Sequence, residues 1–88
     1  LNPTDPELLY IRGHELRATG QAQAAIESYE ACLKNGGAAS HVEAYRHIAN
    51  AYFEDLKNME KAAEYYGKYI KAGGSNVEAL ERQKNMGK

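Results

Sequence analysis

The sequence has little cysteine, proline or aromatic side chain other than tyrosine. Its 88 residues include one Cys, two Pro, one Phe and no Trp. One cysteine cannot form an internal disulfide, and a lone thiol is compatible with a reducing compartment such as the cytoplasm. Both prolines lie among the first six residues. Because proline interrupts helices, the rest of the chain is free to be helical.

Charge of one sign and long apolar runs are also missing. The 11 basic and 12 acidic residues give a net charge of −1, so no overall field draws the chain to nucleic acid or to an anionic membrane. No apolar run approaches the roughly 20 residues that a membrane-spanning helix needs. With 43% apolar and 26% charged residues, the composition is typical of one globular domain. Because the chain begins at Leu1 rather than Met, we expect an excised or processed segment.

The chain does contain one helix-start signal three times. Thr4, Ser40 and Ser75 are each followed three residues later by Glu, at spacings of 36 and 35 residues. In this capping box the hydroxyl accepts a bond from a first-turn N–H, and the Glu reaches back to the cap residue. The pattern predicts helices that begin at Thr4 (or at Asp5, with Pro6 in the first turn), at Ser40 and at Ser75.

Helix-stop signals follow the same spacing. Residues 34–37 and 71–74 each place Lys before a Gly-Gly pair, and glycine accepts the left-handed conformation that ends a helix. The distance between starts and stops is too long for single helices, so we expect breaks at 19–20 and at 55–58, with Asn58 as a cap. The predicted helices are 5–18, 21–34, 41–54, 59–71 and 76–86.

Apolar residues within these segments recur at helical spacing, which indicates an all-α fold. The fifth helix has only Val77, Leu80 and Met86 as large apolar residues, as suits the end of an array whose outer face meets water. The stripes of the second, third and fourth helices are Ala22, Ala25, Ile26, Tyr29 and Leu33; Ala44, Tyr45, Ile48, Ala49 and Tyr52; and Ala62, Ala63, Tyr66, Tyr69 and Ile70.

Large and small residues also repeat in register between the two helix pairs. The first pair has Leu9, Gly13, Leu16, Ala25 and Tyr29, and the second has Tyr45, Ile48, Ala49, Tyr52, Ala62 and Tyr66. A helix–turn–helix unit with this pattern and a period near 35 resembles the tetratricopeptide repeat, whose period is about 34. Arg12 stands where the family pattern has Leu, Gly37 stands where it has Pro, and the turn between the third and fourth helices is one residue longer.

The resemblance implies a short right-handed solenoid of stacked antiparallel helix pairs. Residues 1–88 would form a single domain, with repeat 1 at 4–37, repeat 2 at 40–74 and a capping helix or half repeat at 75–88. It also implies a non-catalytic protein–protein interaction module, whose first helices line a concave groove that holds a peptide. By register the groove presents Glu7, Tyr10, His14, Arg17, Glu43, Arg46, Asn50, Phe53, Glu78, Glu81 and Asn85. Our candidate peptide-binding residues are Tyr10, His14, Arg17, Arg46, Asn50, Phe53 and Glu81.

Tyrosine and arginine often carry binding energy, but surface Arg and Glu are common, so these side chains could equally be solvated positions without a ligand. Other kinds of site have less support. His41 and His47 are six residues apart, which predicts different faces of one helix and no metal site with His14. Cys32 is expected to be buried and inert. There is no phosphate loop, nucleophile elbow or paired-carboxylate signature, so we expect no enzyme and no cofactor.

A structural or self-assembly role is the alternative. Two and a half repeats bury little core, and about three are normally needed for stability. Leu8 and Ile11 lie off the inner stripe of the first helix and could pack on a preceding repeat or on a second copy. Tyr65, outside the stripe of the fourth helix, belongs on the convex face or at a seam and is a third candidate contact. Gly67 either permits close approach of a neighbouring helix or partner, or is a tolerated substitution.

Overall fold

The computed structural model describes residues 5–86, which contain helices and turns and no strand. A single helical turn, Ala38–Ser40, precedes the third helix. The second helix ends in a kink at Asn35 and Gly36, where Gly36 is left-handed (φ +102°), and a wider π turn, Ala51–Asp55, follows the third helix. The all-α prediction and the order of five helices are confirmed. The helices are α1 (Pro6–Ala18), α2 (Ala22–Cys32), α3 (Glu43–Asn50), α4 (Met59–Lys71) and α5 (Val77–Met86).

Side-chain caps begin α1 and α4. The Asp5 carboxylate accepts a hydrogen bond from the N–H of Glu7 at 2.9 Å, and Thr4 lies outside the described residues. Asn58 caps α4, as predicted, by accepting from the N–H of Lys61 at 3.1 Å. Each cap satisfies an N–H that has no partner within its own helix.

The capping boxes predicted at Ser40 and Ser75 are wrong. Ser40 ends the separate turn before α3, and its hydroxyl hydrogen-bonds Nδ1 of His41 at 2.9 Å. At the start of α5, Asn76 is the cap, because its side-chain oxygen accepts from the N–H of Ala79 at 3.0 Å. Asn is as good a cap as Ser. Because α5 begins at Val77, Asn76 rather than Ser75 occupies the capping position.

The two units make the turn between their helices differently. In the first, Gly20 has φ +82° and the N–H of Gln21 bonds the carbonyl of Leu16 at 2.8 Å, which closes a compact glycine cap. In the second, Lys57 takes the left-handed position with φ +55°, and the N–H of Leu56 reaches back five residues within the π turn. The extra residue predicted in this turn is therefore accommodated by widening the end of the helix.

Tyrosines fill the space between the helices. Tyr29, Tyr66 and Tyr69 are almost fully buried, and together with Ile26 and Ile48 they are the largest side chains of the core. Tyr29 lies directly against α1 at Gly13, where an added Cβ would approach the tyrosine ring to 2.6 Å. This glycine therefore lets α1 and α2 approach closely.

The last helix contacts the core through a small residue. Ala79 is 1% exposed, whereas Val77 and Leu80 are 67% and 38% exposed. Of the three large apolar residues of α5, only Met86 packs against the core, and the exposure of the other two agrees with an outer face that meets water. A Cβ on Gly67 would meet only the side chain of Gln83, at 3.5 Å. This is ordinary contact, so close packing does not require a glycine there.

Tyr65 lies at the seam between the two units. Its hydroxyl donates to the carboxylate of Glu30 on α2 at 2.5 Å, and its ring stacks on Tyr52 with 5.9 Å between centroids. Leu8 and Ile11 remain 41% and 42% exposed on α1. Among residues 5–86, no helix combines the length and apolarity needed to cross a membrane.

Candidate functional site

An open pocket of about 450 Å³ lies between α1 and α3. Helix α1 supplies His14 and Arg17, two of the predicted groove residues. The rings of Tyr29 and His47 form the floor. The lining residues are His14, Arg17, Ala18, Tyr29, His47 and Asp55.

Three histidines surround the ring of Tyr10. The ring centroids of His14, His41 and His47 lie 4.5, 5.0 and 5.6 Å from that of Tyr10. The prediction that His41 and His47 lie on one helix is wrong, because His41 precedes α3 and its dihedrals (φ −126°, ψ +54°) are not helical. Residues 5–86 contain no group of three or more His, Cys, Asp or Glu arranged to hold a metal ion.

Burial favours the neutral forms of His14, His47 and Tyr29. Burial, reinforced by the nearby Arg46 and His14, lowers the pKa of His47 to about 4. Burial and the positive charge of Arg17 also lower the pKa of His14, while burial raises the pKa of Tyr29 to about 12. The Tyr29 hydroxyl is hydrogen-bonded to Nδ1 of His14 at 2.5 Å. The floor of the pocket is therefore a neutral, hydrogen-bonded set of rings.

Both predicted groove arginines of the helix pairs are held by carboxylates. Arg17 donates from Nε to Asp55 and from Nη2 to Glu54, each at 2.7 Å. Arg46 donates from Nε to Glu43, three residues earlier, at 2.5 Å. These guanidinium groups are positioned by neighbours from their own chain, so they differ from the solvated forks that the sequence suggested.

Arg82 on α5 is the centre of a second network that the sequence interpretation missed. Its Nη1 donates to Asn50 Oδ1 at 3.2 Å, to Glu54 at 2.9 Å and to the Tyr66 hydroxyl at 2.9 Å. Its guanidinium carbon lies 4.1 Å from the centre of the Phe53 ring. The thin apolar stripe of α5 gave no sign that a polar residue would fix this helix to α3.

The tetratricopeptide repeat family model matches residues 6–35 and 42–72, which are the two helix pairs. This chain belongs to the tetratricopeptide repeat family. No curated protein matches the chain. Tetratricopeptide repeats generally mediate protein–protein interactions, and proteins built from them are typically non-enzymatic scaffolds.

The repeat register aligns the two networks. His14 and Asn50 hold equivalent positions in the first helices of the tetratricopeptide units, and Tyr29 and Tyr66 hold equivalent positions in the second helices. Each tyrosine hydroxyl bonds its equivalent partner, Tyr29 to His14 and Tyr66 to the side-chain oxygen of Asn50. The tetratricopeptide framework is thus conserved between the units, while the polar partner of the tyrosine varies.

The structure divides the seven candidate groove residues into three sets. His14 and Arg17 line the pocket between α1 and α3, and Tyr10 packs against the His14 ring. Asn50 and Phe53 gather beneath Arg82, where Asn50 is only 8% exposed and therefore supports other side chains. The remaining two are Arg46, which is bound to its neighbour on α3, and Glu81, which is exposed on α5.

Proposed function

We propose that this protein is a non-catalytic interaction module that binds a peptide or protein segment in a concave groove lined by α1, α3 and α5. The observation that carries the proposal is the open pocket between α1 and α3, with its aromatic floor and polar rim. The groove would belong to a single domain, residues 1–88, made of units at 4–37 and 40–74 and a capping segment at 75–88.

The pocket suits a side chain of a partner rather than a reaction. Neutral rings offer apolar contact area at little cost in conformational entropy, and rim groups fix orientation. Its titratable groups are already hydrogen-bonded to neighbours: Arg17 to Asp55, and His14 to Tyr29. Cys32 is fully buried and burial raises the pKa of its thiol, which disfavours a reactive thiolate. These features favour binding over covalent or acid–base catalysis.

Ala18 provides a direct test, because it is exposed, lines the pocket and makes no side-chain hydrogen bond that its replacement would lose. Peptides would first be selected against the whole protein by display. Ala18→Gln, which fills the pocket with a good helix former, should then weaken the selected peptides at least roughly tenfold, as loss of a buried anchor does.

The matched control is Ala39→Gln, an equal change at an exposed position in the turn before α3. It should leave the affinity unchanged. Equal affinities for Ala18→Gln and for the unmodified protein, measured by fluorescence anisotropy, would show that the selected peptides bind elsewhere and would remove the groove assignment.

Self-assembly is the second candidate function, and the exposure of Leu8 and Ile11 favours it. These side chains lie on α1, and they would be covered by a second copy or by another repeat. Tyr65 contributes less to such a contact, since its hydroxyl and ring are engaged by Glu30 and Tyr52. Sedimentation velocity at increasing concentration should show association that Leu8→Gln with Ile11→Gln abolishes. A monomer at all concentrations would eliminate this alternative.

A further inference from the structure

Acidic side chains outnumber basic ones at the groove positions and their ion-pair partners. This set contains six carboxylates and three guanidinium groups, a net charge of −3, although the whole chain carries only −1. The rest of the chain therefore carries +2, and none of the lysines belongs to the groove set. The carboxylates are those of Glu7, Glu43, Glu54, Asp55, Glu78 and Glu81.

The groove arginines are already neutralised within the chain. Arg17 pairs with Asp55 and Glu54 at 2.7 Å, and Arg82 pairs with Glu54 at 2.9 Å and with Glu78 at 3.6 Å. The remaining groove arginine is paired in the same way on α3. An anionic ligand would have to displace one of these carboxylates, whereas a cationic ligand would meet acidic groups in excess.

The pocket between α1 and α3 has the shape and chemistry for one basic side chain. Its floor is the neutral pair of rings from Tyr29 and His47, which stack with 5.5 Å between centroids. On its rim, Asp55 uses Oδ2 to accept from Arg17, and its Oδ1 makes no hydrogen bond to any of residues 5–86. The methylene stem of a Lys or Arg would cover the partly exposed His47 ring, which the buried Tyr29 supports from below, while its charged end reaches Asp55.

We propose that the groove recognises a positively charged segment of its protein partner, with one lysine or arginine side chain inserted between α1 and α3. This inference rests on the proposed function, since it names the class of partner for the same groove. The recognition chemistry is that of a basic peptide segment on an acidic, aromatic-floored surface.

The test uses three fluorescein-labelled peptides of equal length, built from Ala and Gly with either Lys, Gln or Glu at the same positions. Fluorescence anisotropy with the whole protein should show that the Lys peptide binds most tightly. Its affinity should fall roughly tenfold as NaCl rises from about 0.05 M to about 0.5 M, because the attraction is between partly exposed charges. Amide NMR shifts on binding should centre on Ala18 and Asp55.

Two neutralising variants and one matched control sharpen the test. Asp55→Asn should weaken the Lys peptide about threefold to tenfold. Glu81→Gln should weaken the Lys peptide about twofold. Glu81 is exposed and forms no ion pair within residues 5–86, so this variant should fold normally. It therefore keeps the proposal testable if Asp55→Asn unfolds the protein by breaking the pair with Arg17. Glu27→Gln, an equal loss of charge at an exposed position on α2, should change nothing.

Three results would overturn the basic-segment proposal: equal or tighter binding of the Glu peptide, equal effects of Glu81→Gln and Glu27→Gln, or no binding of the Lys peptide at about 1 mM. If the Glu peptide shifts the amides around Ala18, the groove function stands and only its charge preference fails. If display-selected peptides ignore Ala18→Gln, the groove function itself fails.

Discussion

The two helix pairs place a tyrosine hydroxyl on the same position of their first helix, yet the two positions have different surroundings. Tyr29 bonds His14, which is exposed at the edge of the pocket. Tyr66 bonds Asn50, which is 8% exposed because Arg82 of α5 lies over it. The same framework thus gives an open polar site where the first unit meets the second, and a closed network where the second unit meets the last helix.

The turns between the two helices of each pair also differ. The first unit ends α1 with a glycine cap at Gly20, and the second ends α3 with a π turn and Lys57 in the left-handed region. Glu54 and Asp55 lie in this π turn, and both carboxylates hold Arg17 of the first unit. The turn of the second unit therefore supplies an acidic edge beside the pocket.

The largest effect is expected at the close contact between α1 and α2 in the first unit. Gly13→Ala should lower the free energy of unfolding by about 2 to 3 kcal/mol, because the new Cβ would lie 2.6 Å from the buried ring of Tyr29. The reverse change at the equivalent residue, Ala49→Gly, should cost about 1 to 2 kcal/mol, because it lowers helix propensity and removes a buried methyl group. Urea unfolding measures both, and a neutral Gly13→Ala would contradict the packing described for α1 and α2.

The second effect compares the two tyrosine hydroxyls. Tyr66→Phe should cost about 1.5 kcal/mol, since it removes a buried group that donates to Asn50 and accepts from Arg82. Tyr29→Phe should cost only about 0.5 kcal/mol, because water can replace the hydroxyl at the exposed His14. Thermal or urea unfolding of the two variants decides the order, and a larger loss for Tyr29→Phe would reverse the contrast between open and closed sites.

Acid should weaken the junction of the two units before it weakens the contact with α5. The pKa of His47 is about 4 in the folded protein, below the ordinary 6.5, so the unfolded chain binds more protons between these values. Stability is then complete above about pH 6.5 and falls as the pH drops toward about 4. From about pH 7.5 to about pH 5.5 the expected loss is about 1.5 kcal/mol.

The matched variant for this pH dependence is His47→Gln, which keeps a polar partner for Tyr10 and cannot titrate. Its unfolding free energy, measured in the same buffers, should lose most of the slope between pH values of about 6.5 and 5. A slope as steep as that of the unmodified protein would assign the effect to other groups.

The smallest effect concerns the turns. Lys57→Gly should stabilise the protein by about 0.5 to 1 kcal/mol, because φ +55° costs a side chain that glycine lacks. Gly20→Ala should destabilise it by about 1 kcal/mol, although an added Cβ would meet nothing within 4 Å. If Lys57→Gly proves destabilising, the lysine side chain contributes more to the second turn than its backbone strain costs.

Local signals predicted most of the fold. Asn58, the glycine stops and the apolar stripes of α2, α3 and α4 depend on residues within one helix, so spacing along the chain was sufficient. The start of α5 was predicted one residue early because Ser75 and Asn76 are both good caps, and only the frame of the helix decides between them.

The site was less predictable, because its contacts join residues far apart in the sequence. Periodicity placed Tyr10, His14 and Arg17 on one face of α1, and the last two of these line the pocket. It could not reveal that Arg82 would lie over Asn50, 32 residues away, or that His41 would leave its helix. Such pairings follow from how the units stack, and a single sequence does not contain that information.

The shared carboxylate of Glu54 has a consequence for how the protein unfolds. One of its oxygens binds Arg17 of the first unit and the other binds Arg82 of the last helix. Helical-repeat arrays normally lose stability through adjacent interfaces only, like a one-dimensional chain of coupled units. Here one side chain of the second unit carries a bond across each of its two interfaces, so both interfaces depend on the same carboxylate. Loss of that carboxylate would therefore weaken both interfaces at once.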